Sequence, residues 1–388
     1  MNRGAIAEIN LPAIAHNLKT VSKAVKKRPV IAVVKADAYG HGCIEVSKRL
    51  IQEGASSLAV AYISEGILLR GAGIGAPIIV LFDCEDIDNF FDFDLLPVLH
   101  DTTTASALSR VAKKRRYTIK VHVKIDTGMG RLGLNGKHII EDIVRIANME
   151  GIELVGLMSH FSDADLSDRS YAAVQLKQFN MIREALCKKL KKRIISHMAN
   201  SAAVLNFEDA HLDAVRPGLM LYGYSPLSQN IYKHPARTSE PIRLRRKNLE
   251  PIILIPAMKV KTKILCIRNL PPYSPISYGR TFITKRQSKI CVLPLGYADG
   301  YNRLFSNNAE MLVRGRRVPV VGRICMDLTM VDLTEIGDVR EGDEVVILGQ
   351  QGNESITAHE LAWKTQTIPY EILTSIGSHS KKEYIHES

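Results

Sequence analysis

The sequence predicts an α/β protein in which an amino-terminal (β/α)8 TIM-type barrel is followed by a mainly-β domain. Three observations carry this prediction: eight short apolar runs in the first half, helical patterns between most of them, and a change of pattern after Tyr224. A chain of 388 residues is also too long for one ordinary core. We therefore expect two domains, over residues 1–240 and 250–388.

The eight apolar runs are the candidate strands of the barrel. They read as nearly continuous apolar segments, which is typical of parallel strands that are buried on both faces. An open, doubly wound sheet is the structural alternative. In chain order the predicted strands are Val30–Val34, Leu58–Ile63, Pro77–Phe82, Leu95–Leu99, Ile119–Ile125, Leu154–Ser159, Ile194–Met198 and Ala214–Leu221.

Helical periodicity fills most of the gaps between these runs. It is clearest at Ile44–Glu53, Ile139–Ile146 and Ala172–Leu190, and a further helix, Pro12–Ala24, precedes the first strand. The alternation of strand and helix is what a parallel barrel requires, because each parallel strand needs a crossover connection.

The pattern changes in the second half. Ser225–Pro251 is rich in Pro, Ser and basic residues and is predicted to be an irregular connection. Short strand-like runs with turn residues between them then predict the β-rich domain, with one helix near Ala358–Trp363. Lys381–Ser388 is predicted to be disordered. The predicted strands are Met258–Ile267, Lys289–Pro294, Met311–Val313, Val318–Val321, Met330–Leu333 and Glu344–Leu348.

Composition and charge argue against several other classes of protein. The net charge is +12, concentrated in Lys113–Arg116, Lys188–Arg193 and Arg243–Lys247. No aromatic residues interleave with these runs, so solvated surfaces are favoured over nucleic-acid binding. No apolar run approaches the ~20 residues of a membrane helix, and no signal-peptide core is seen. We therefore expect a cytoplasmic protein that binds neither nucleic acid nor membrane.

The six cysteines are scattered along the chain. None forms a C-x-x-C pair or a Cys/His cluster with zinc spacing. We expect reduced thiols and no metal site.

Lys35 is the first candidate for chemistry. It directly follows the first apolar run, and barrel enzymes keep their active sites at the carboxyl ends of the strands. Desolvation there lowers the pKa of a lysine and frees its amine for Schiff-base formation. A lysine that has simply left the barrel for solvent is the alternative.

A glycine pattern offers a competing interpretation. Gly128-x-Gly130-x-x-Gly133 matches the dinucleotide-binding motif and follows a predicted strand. It lies after several strand–helix units, however, and no clear acidic strand end follows about 20 residues on. Nicotinamide cofactor binding is therefore disfavoured.

The segment around Lys35, Val33-Val34-Lys35-Ala36-Asp37-Ala38-Tyr39-Gly40-His41-Gly42, resembles the pyridoxal-phosphate (PLP) lysine signature of the alanine racemase family. The resemblance continues in register along nearly the whole chain, and the family combines a PLP barrel with a carboxyl-terminal β domain. The further matching motifs are Asp126–Gly133, Ser159–Phe161, Ala199–Ser201, Val215–Gly218, Ser277–Gly279, Gly296–Gly300 and Gly322–Asp327.

The resemblance implies two catalytic bases. Lys35 matches the lysine that binds PLP and acts as base toward one enantiomer, and Tyr278 matches the base on the opposite face. Racemisation removes the α-proton from one face and returns a proton on the other, so the reaction needs such a pair. Taken alone, Tyr278 would be an ordinary half-buried strand tyrosine.

The resemblance also implies the surroundings of the cofactor. Arg216 matches the arginine that faces the pyridine nitrogen and, because arginine does not readily give up a proton, keeps that nitrogen unprotonated. His160 resembles the histidine that links Arg216 to Tyr278. Singly, several of these residues would be assigned to turns or to structural roles. The other implied cofactor-binding residues are Tyr39, Asn200, Ser201, Gly218, Leu219 and Tyr370.

Two further residues are implied at the substrate. Arg131 resembles the arginine that binds the substrate carboxylate, assisted by the backbone amide of Met326. Lys124 aligns with a lysine that is carbamylated in some family members and there orients this arginine. The alternative for Lys124 is a free lysine at a strand end.

The activity implied by the resemblance is the interconversion of L- and D-alanine, which supplies D-alanine for peptidoglycan. The implied assembly is a homodimer in which one subunit brings Tyr278 and Met326 to the barrel of the other. Three alternatives remain: a racemase for serine, lysine or another amino acid, a non-catalytic PLP-binding protein, and a barrel aldolase with a Schiff-base lysine. The β domain at 250–388 disfavours the last two.

Overall fold

The computed structural model describes residues 4–227, 242–246 and 249–387. In the first half of the chain a parallel sheet curls round so that its strands neighbour one another in sequence order. The strands are short, and most of their residues are buried. After an initial strand β1 (Ile6–Asn10), these strands are β2 (Ile31–Val33), β3 (Ser57–Val60), β4 (Ile78–Val80), β5 (Leu96–Leu99), β6 (Ile119–Lys124), β7 (Ile152–Met158) and β8 (Ile195–His197).

The barrel is closed by two bridging residues, Ala214 and Val215, rather than by a full eighth strand. Parallel bridges join His197 to Ala214 and Val30 to Val215. The barrel prediction is confirmed, but the predicted strand Ala214–Leu221 is wrong at its end, because Leu219–Tyr222 forms a 3₁₀ helix. Pro217 cannot donate a backbone hydrogen bond, and the chain turns immediately after it.

Helices connect the barrel strands, and their starts are set by local capping. Asn10 caps α1 by accepting a hydrogen bond from the amide of Ala13 at 2.8 Å, and Asp101 caps α6 through the amide of Thr104 at 2.7 Å. The helices are α1 (Leu11–Ala24), α2 (Lys35–Gly40), α3 (Cys43–Gln52), α4 (Ile63–Gly71), α5 (Asp88–Asp92), α6 (Thr102–Arg115), α7 (Ile139–Ala147), α8 (Ser170–Leu190) and α9 (Ser201–Asn206).

The second half is mainly β, as predicted, with two helices near its end. The strands are β9 (Ile242–Arg246), β10 (Leu249–Leu254), β11 (Met258–Lys263), β12 (Cys266–Leu270), β13 (Pro275–Ile276), β14 (Phe282–Ile283), β15 (Ser288–Leu293), β16 (Glu310–Val313), β17 (Arg316–Pro319), β18 (Thr329–Asp332), β19 (Glu344–Gln351), β20 (Glu354–Ile356) and β21 (Lys381–Ile385). The helices are α10 (Ala358–Lys364) and α11 (Pro369–His379).

The main sheet of this half has the order β17-β16-β19-β11-β1-β21. The first strand of the chain therefore lies in the second sheet, antiparallel to β11 and parallel to β21. The predicted division into residues 1–240 and 250–388 stays a prediction, and β1 is the segment that crosses it.

Two predictions about irregular segments are wrong. Part of the connection Ser225–Pro251 is an antiparallel pair, β9 with β10, while residues 228–241 lie outside the described part. The segment Lys381–Ser388 is ordered over Lys381–Ile385, because β1 supplies its backbone partners. Those partners come from the opposite end of the chain, so local sequence carries no sign of them.

The predicted basic surfaces are partly ion-paired with neighbouring elements. Lys113 lies 2.8 Å from Glu150, and Arg193 lies 2.7 Å from Asp213. The side chains of the third run, Arg243–Lys247, lie outside the described part. All six cysteines are free thiols.

The described residues also lack two kinds of feature. These residues hold no cluster of His, Cys, Asp and Glu suited to a metal ion. The described helices include none long and apolar enough to cross a membrane.

Candidate active site

A cavity of about 660 Å³ opens at the carboxyl ends of the barrel strands. Barrel enzymes place their chemistry at this face. The cavity brings together residues that are spread over more than 330 positions of the sequence. The predicted site residues on its wall are Lys35, Tyr39, Lys124, Arg131, His160, Asn200, Ser201, Arg216, Gly218, Leu219 and Tyr370.

Lys35 enters the cavity from a strained turn. The four residues after it, Ala36–Tyr39, have φ between 52° and 55°, and we call this segment the left-handed turn. Each non-glycine residue in that conformation costs about 1–2 kcal/mol, so tertiary contacts must hold it. One such contact is Glu65, which accepts hydrogen bonds from the amides of Ala36 at 2.6 Å and Ala61 at 2.7 Å.

The surroundings of Lys35 favour its neutral amine. Burial, and then the positive charge of Arg131, lower the pKa of Lys35, and Glu65 opposes them. A neutral amine is the form that can attack a carbonyl carbon. Lys35 lines the cavity and is partly buried.

Arg216 is buried beneath the cavity, with 4% of its surface exposed. Its guanidinium donates to Nδ1 and to the carbonyl of His197, at 2.7 and 2.6 Å, and to the carbonyl of Ser159 at 2.6 Å. Burial lowers the pKa of Arg216 to about 10, so it stays cationic at neutral pH. The group is rigidly held by acceptors that cannot take its proton at that pH.

Two histidines in this network were missed by the sequence analysis. His197 Nε2 lies 2.8 Å from His122 Nδ1. Because Arg216 can only donate, His197 Nδ1 must accept, so the proton of His197 is on Nε2 and points to His122. Burial, and then Arg216, lower the pKa of His122 to about 4 and hold the pKa of His197 well below its usual range.

A weak signal for these histidines does exist in the sequence. Each sits within an apolar barrel strand, where an uncharged polar ring needs a partner. Gly156 lies opposite His122 in the sheet, and a Cβ at Gly156 would come within 2.1 Å of the His122 ring. The glycine therefore makes the space that His122 fills, but only the sheet register reveals this.

His160 lies beside Arg216, with its Nδ1 3.5 Å from the guanidinium. Burial, together with the cations Arg216 and Arg131, holds the pKa of His160 well below its usual range. A neutral imidazole of this kind can relay a hydrogen bond without adding charge.

A second group of cavity residues contributes hydroxyls and a backbone amide. We call this group, Tyr39, Ser201, Gly218 and Tyr370, the hydroxyl pocket. Ser201 Oγ accepts from the amide of Gly218 at 3.0 Å. A Cβ at Gly218 would lie 2.3 Å from the hydroxyl of Tyr39, so only glycine allows this hydroxyl to reach the pocket. The ring of Tyr370 packs 5.8 Å from that of Tyr39. Hydroxyls and backbone amides are the donors that phosphate groups use.

The glycine-rich segment after β6 forms a loop and not a helix start, since α7 begins only at Ile139. Asp126 Oδ1 accepts from the amides of Gly128, Met129 and Gly130 at 2.9, 2.8 and 3.2 Å. Gly133 has φ +132°, and a Cβ there would strike the Asp126 amide. The loop carries Arg131 into the cavity.

Lys124 lies at the end of β6, buried among cations. Burial, then Arg131 and Arg216, lower its pKa to about 8, while Asp126 opposes them. A lysine in this position is partly neutral near physiological pH.

Tyr278 and Met326 are absent from the wall of this cavity, which lies wholly within described residues. Their surfaces are 69% and 53% exposed. Ser277 beside Tyr278 has φ 62°, and its hydroxyl donates to the carbonyl of Arg323 at 2.5 Å. The motifs that carry Tyr278 and Met326 thus meet on one surface of the β-rich half and present both side chains outward.

The charges of the cavity indicate the ligand it suits. Its ionisable lining consists of four basic side chains, Lys35, Lys124, Arg131 and Arg216, and one acidic side chain, Glu371. A ligand with a phosphate and a carbonyl, together with a substrate carboxylate, would satisfy the hydroxyl pocket, the amine and the excess positive charge. The donor set therefore fits PLP, and barrel and site together define a PLP-dependent enzyme with an attached β domain.

Comparison with known proteins identifies the family. The family models for the alanine racemase N-terminal and C-terminal domains match residues 9–226 and 257–384. Alanine racemase of Thermodesulfovibrio yellowstonii is 46% identical over 391 residues, covering 100% of this chain and 99% of that protein. Alanine racemase of Halothermothrix orenii is 41% identical over 387 residues, covering 99% and 97%.

Solved structures agree with the sequence relatives. Alanine racemase from Bacillus anthracis with bound L-Ala-P superposes with a TM-score of 0.88 at 32% identity, covering 100% of this chain and 96% of that one. Alanine racemase from Bartonella henselae with covalently bound pyridoxal phosphate gives 0.84 at 29% identity, covering 98% and 99%. The chain belongs to the alanine racemase family, whose members are PLP-dependent isomerases.

Proposed function

We propose that the protein interconverts L- and D-alanine by a two-base reaction in which Lys35 and Tyr278 act on opposite faces of the substrate, and that it thereby supplies D-alanine for peptidoglycan. The observation that carries the proposal is the cavity in which the Lys35 amine faces a cationic lining and a phosphate-sized hydroxyl pocket. A chain of this family with such a site has the parts that racemisation of an amino acid requires.

When bound, PLP supplies an electron sink for the electron pair left behind by the departing α-proton. The Lys35 amine would hold the cofactor through its Nζ and exchange the proton on its own face. Tyr278 would exchange the proton on the other face through its hydroxyl. Tyr39, Ser201 and Tyr370 would bind the phosphate, with Asn200 and the amides of Gly218 and Leu219 beside them.

Arg216 would face the pyridine nitrogen and leave it unprotonated. The reason is that His197, held in turn by His122, fixes the guanidinium, which stays cationic at neutral pH. A cation beside the nitrogen makes its protonation unfavourable. An unprotonated nitrogen would make the bound cofactor a weaker electron sink, so Arg216 would restrict side reactions such as transamination.

The Arg216→Glu variant tests that role. A carboxylate should favour protonation of the pyridine nitrogen, so racemisation should fall about a hundredfold or more while alanine produces a new long-wavelength absorption band. Absorption spectra and racemisation rates in both directions measure this, with Arg216→Lys as the cation-retaining control. An active Arg216→Glu enzyme with an unchanged spectrum would remove Arg216 from the site.

Arg131 would bind the substrate carboxylate, assisted by the backbone amide of Met326. Lys124 would orient Arg131 as a carbamate. Its amine is surrounded mainly by cations, and its pKa of about 8 leaves about a tenth of it neutral at pH 7, against less than about 0.1% for an ordinary lysine. The neutral amine can add to the carbon of carbon dioxide and release one proton to solvent, and the resulting carbamate anion would pair with Arg131.

Carbamylation of Lys124 is measurable directly. Protein equilibrated with ¹³C-bicarbonate should show a carbamate carbon resonance that disappears in Lys124→Met, and this variant should raise the KM for alanine severalfold. Lys120→Met, an exposed lysine on the same strand, is the matched control. A carbamate signal that survives in Lys124→Met, or no signal in the parent protein, would contradict the assignment.

The exposure of Tyr278 supports a shared active site. A tyrosine 69% exposed on the β-rich half can serve as a base only when another surface places it beside a substrate. We infer a homodimer in which the Tyr278 and Met326 surface of one subunit covers the cavity of the other. His160 would then link Arg216 to the tyrosine of the partner.

The decisive assay measures racemisation of a panel of amino acids, with and without added PLP. Alanine should be the preferred substrate. Preference for serine or lysine would favour the related racemase, and PLP binding without any racemisation would favour a non-catalytic binding protein. The cytoplasmic location stays a prediction.

A further inference from the structure

Strand β21 lies against the left-handed turn that follows Lys35. Along the strand, Lys382 and Tyr384 are partly buried, whereas Lys381, Glu383 and Ile385 are exposed. Successive side chains of a strand point to opposite faces. The face that carries Lys382 and Tyr384 is therefore the one turned toward the protein.

An ion pair connects this face to the turn. Lys382 Nζ lies 2.8 Å from Asp37 Oδ2, and the Lys382 side chain is only 17% exposed. The other carboxylate oxygen, Asp37 Oδ1, accepts a hydrogen bond from the amide of Cys43 at 2.8 Å. Asp37 thus ties the turn to α3 on one side and to β21 on the other.

Close contacts extend the connection past the turn. A Cβ at Gly42 would lie 1.9 Å from the hydroxyl oxygen of Tyr384 and 2.9 Å from Cδ of Lys382. The preceding helix, α11, also approaches, because a Cβ at Gly40 would lie 2.5 Å from the carbonyl oxygen of Leu373. The segment formed by α11 and β21 therefore touches the chain at three places just after Lys35.

The turn needs such support. Four consecutive non-glycine residues in the left-handed region persist only where the surroundings determine their conformation. Lys35 directly precedes this turn and Tyr39 ends it, and both line the cavity. Any loosening of the turn would move both groups at once.

We propose that Lys382, with Tyr384 beside it, is a positioning residue that holds the left-handed turn through Asp37 and thereby sets how long the protein retains PLP. The proposal rests on the proposed role of Lys35 as the lysine that holds the cofactor. Lys382 is not among the residues that line the cavity, so it would act only through the turn.

The test compares Lys382→Met with Lys381→Met, a neighbouring lysine on the opposite face of the same strand. Hydrogen exchange of the PLP-free protein should be faster over residues 36–42 in Lys382→Met alone. PLP loss from the loaded protein, followed by its visible absorption in the presence of a PLP scavenger, should be about fivefold faster. Lys382→Arg should restore both readouts, which a general loss of stability would not do.

Asp37→Asn provides the second variant, because the amide keeps the oxygen that accepts from Cys43 but loses the charge. It should accelerate PLP loss to the same extent, and the double variant with Lys382→Met should add little, since one contact is removed in both. If Lys382→Met does not fold, Asp37→Asn against Lys381→Met gives the same comparison.

Two results would overturn the proposal, and they are distinguishable. Unchanged exchange over residues 36–42 would show that the contact does not hold the turn. Faster exchange with unchanged PLP loss would show that the turn does not set cofactor retention, and borohydride fixation of PLP on Lys35 of the parent protein shows separately whether the assignment of Lys35 holds.

Discussion

Lys35→Ala should lose covalent retention of PLP and reduce racemisation in both directions by at least about a thousandfold, since a general base alone contributes about 10²–10⁴-fold. The reason is geometric: among the lysines of the described residues, only Lys35 and Lys124 line the cavity, and Lys35 directly precedes the left-handed turn that carries Tyr39. The visible absorption of the bound cofactor should disappear, and borohydride should fix PLP on Lys35 of the parent protein, as peptide mass mapping would show.

Lys48→Ala is the matched control. Lys48 lies on α3 close to Lys35 in sequence, but its side chain is 50% exposed and paired with Glu45. The Lys48→Ala variant should keep the visible absorption of bound PLP, the fixation of PLP on Lys35 by borohydride, and the racemisation activity. A Lys35→Ala protein that still carries PLP fixed by borohydride at another lysine would show that the lysine assignment is wrong.

Mixtures of Lys35→Ala and Tyr278→Phe subunits should recover activity that neither variant has alone. If the two residues serve one site from different subunits, a heterodimer carries one site with both lesions and one with neither. Random exchange of equal amounts makes about half of the dimers heterodimeric, so roughly a quarter of the parent activity should return. The motivation is the placement of Lys35 in the cavity and of Tyr278 on an exposed surface.

Subunit exchange must be shown independently, for example by mass spectrometry of differently tagged subunits. Heterodimers that form without any gain over the parents would mean that Lys35 and Tyr278 belong to the same subunit's site. Tyr278→Phe should also lose exchange of the α-proton with deuterated water far more for one enantiomer than for the other, because only one face loses its base. Equal loss for both would count against face-specific roles.

Much of the fold was predictable because it depends on local pattern. Buried parallel strands must be continuously apolar, and seven of the eight predicted runs overlap strands β2–β8. The two failures have different causes. Leu219–Tyr222 looked like a strand because apolar residues favour either structure when buried, and Lys381–Ile385 looked disordered because its partner, β1, lies at the other end of the chain.

The residues of the candidate site also divide into those that the sequence predicts and those that it does not. The motif around Lys35 and the residues that resemble the family's cofactor and substrate contacts could be named from the sequence, because each belongs to a short segment with its own turn or strand end. His122 and His197 could not, since their role comes from a hydrogen bond between strands β6 and β8. Nor could the contact of Lys382 with Asp37, which joins residues 345 positions apart.

The sequence by itself therefore determined the class of fold and indicated Lys35 as the candidate lysine, because secondary structure and short motifs depend on residues close together in the chain. Only the tertiary structure decided which groups hold Arg216 in place, which strand supports the left-handed turn, and that Tyr278 faces outward rather than into its own cavity. These properties depend on sheet register, on burial and on distances between remote residues, and desolvation and hydrogen bonding act through those distances.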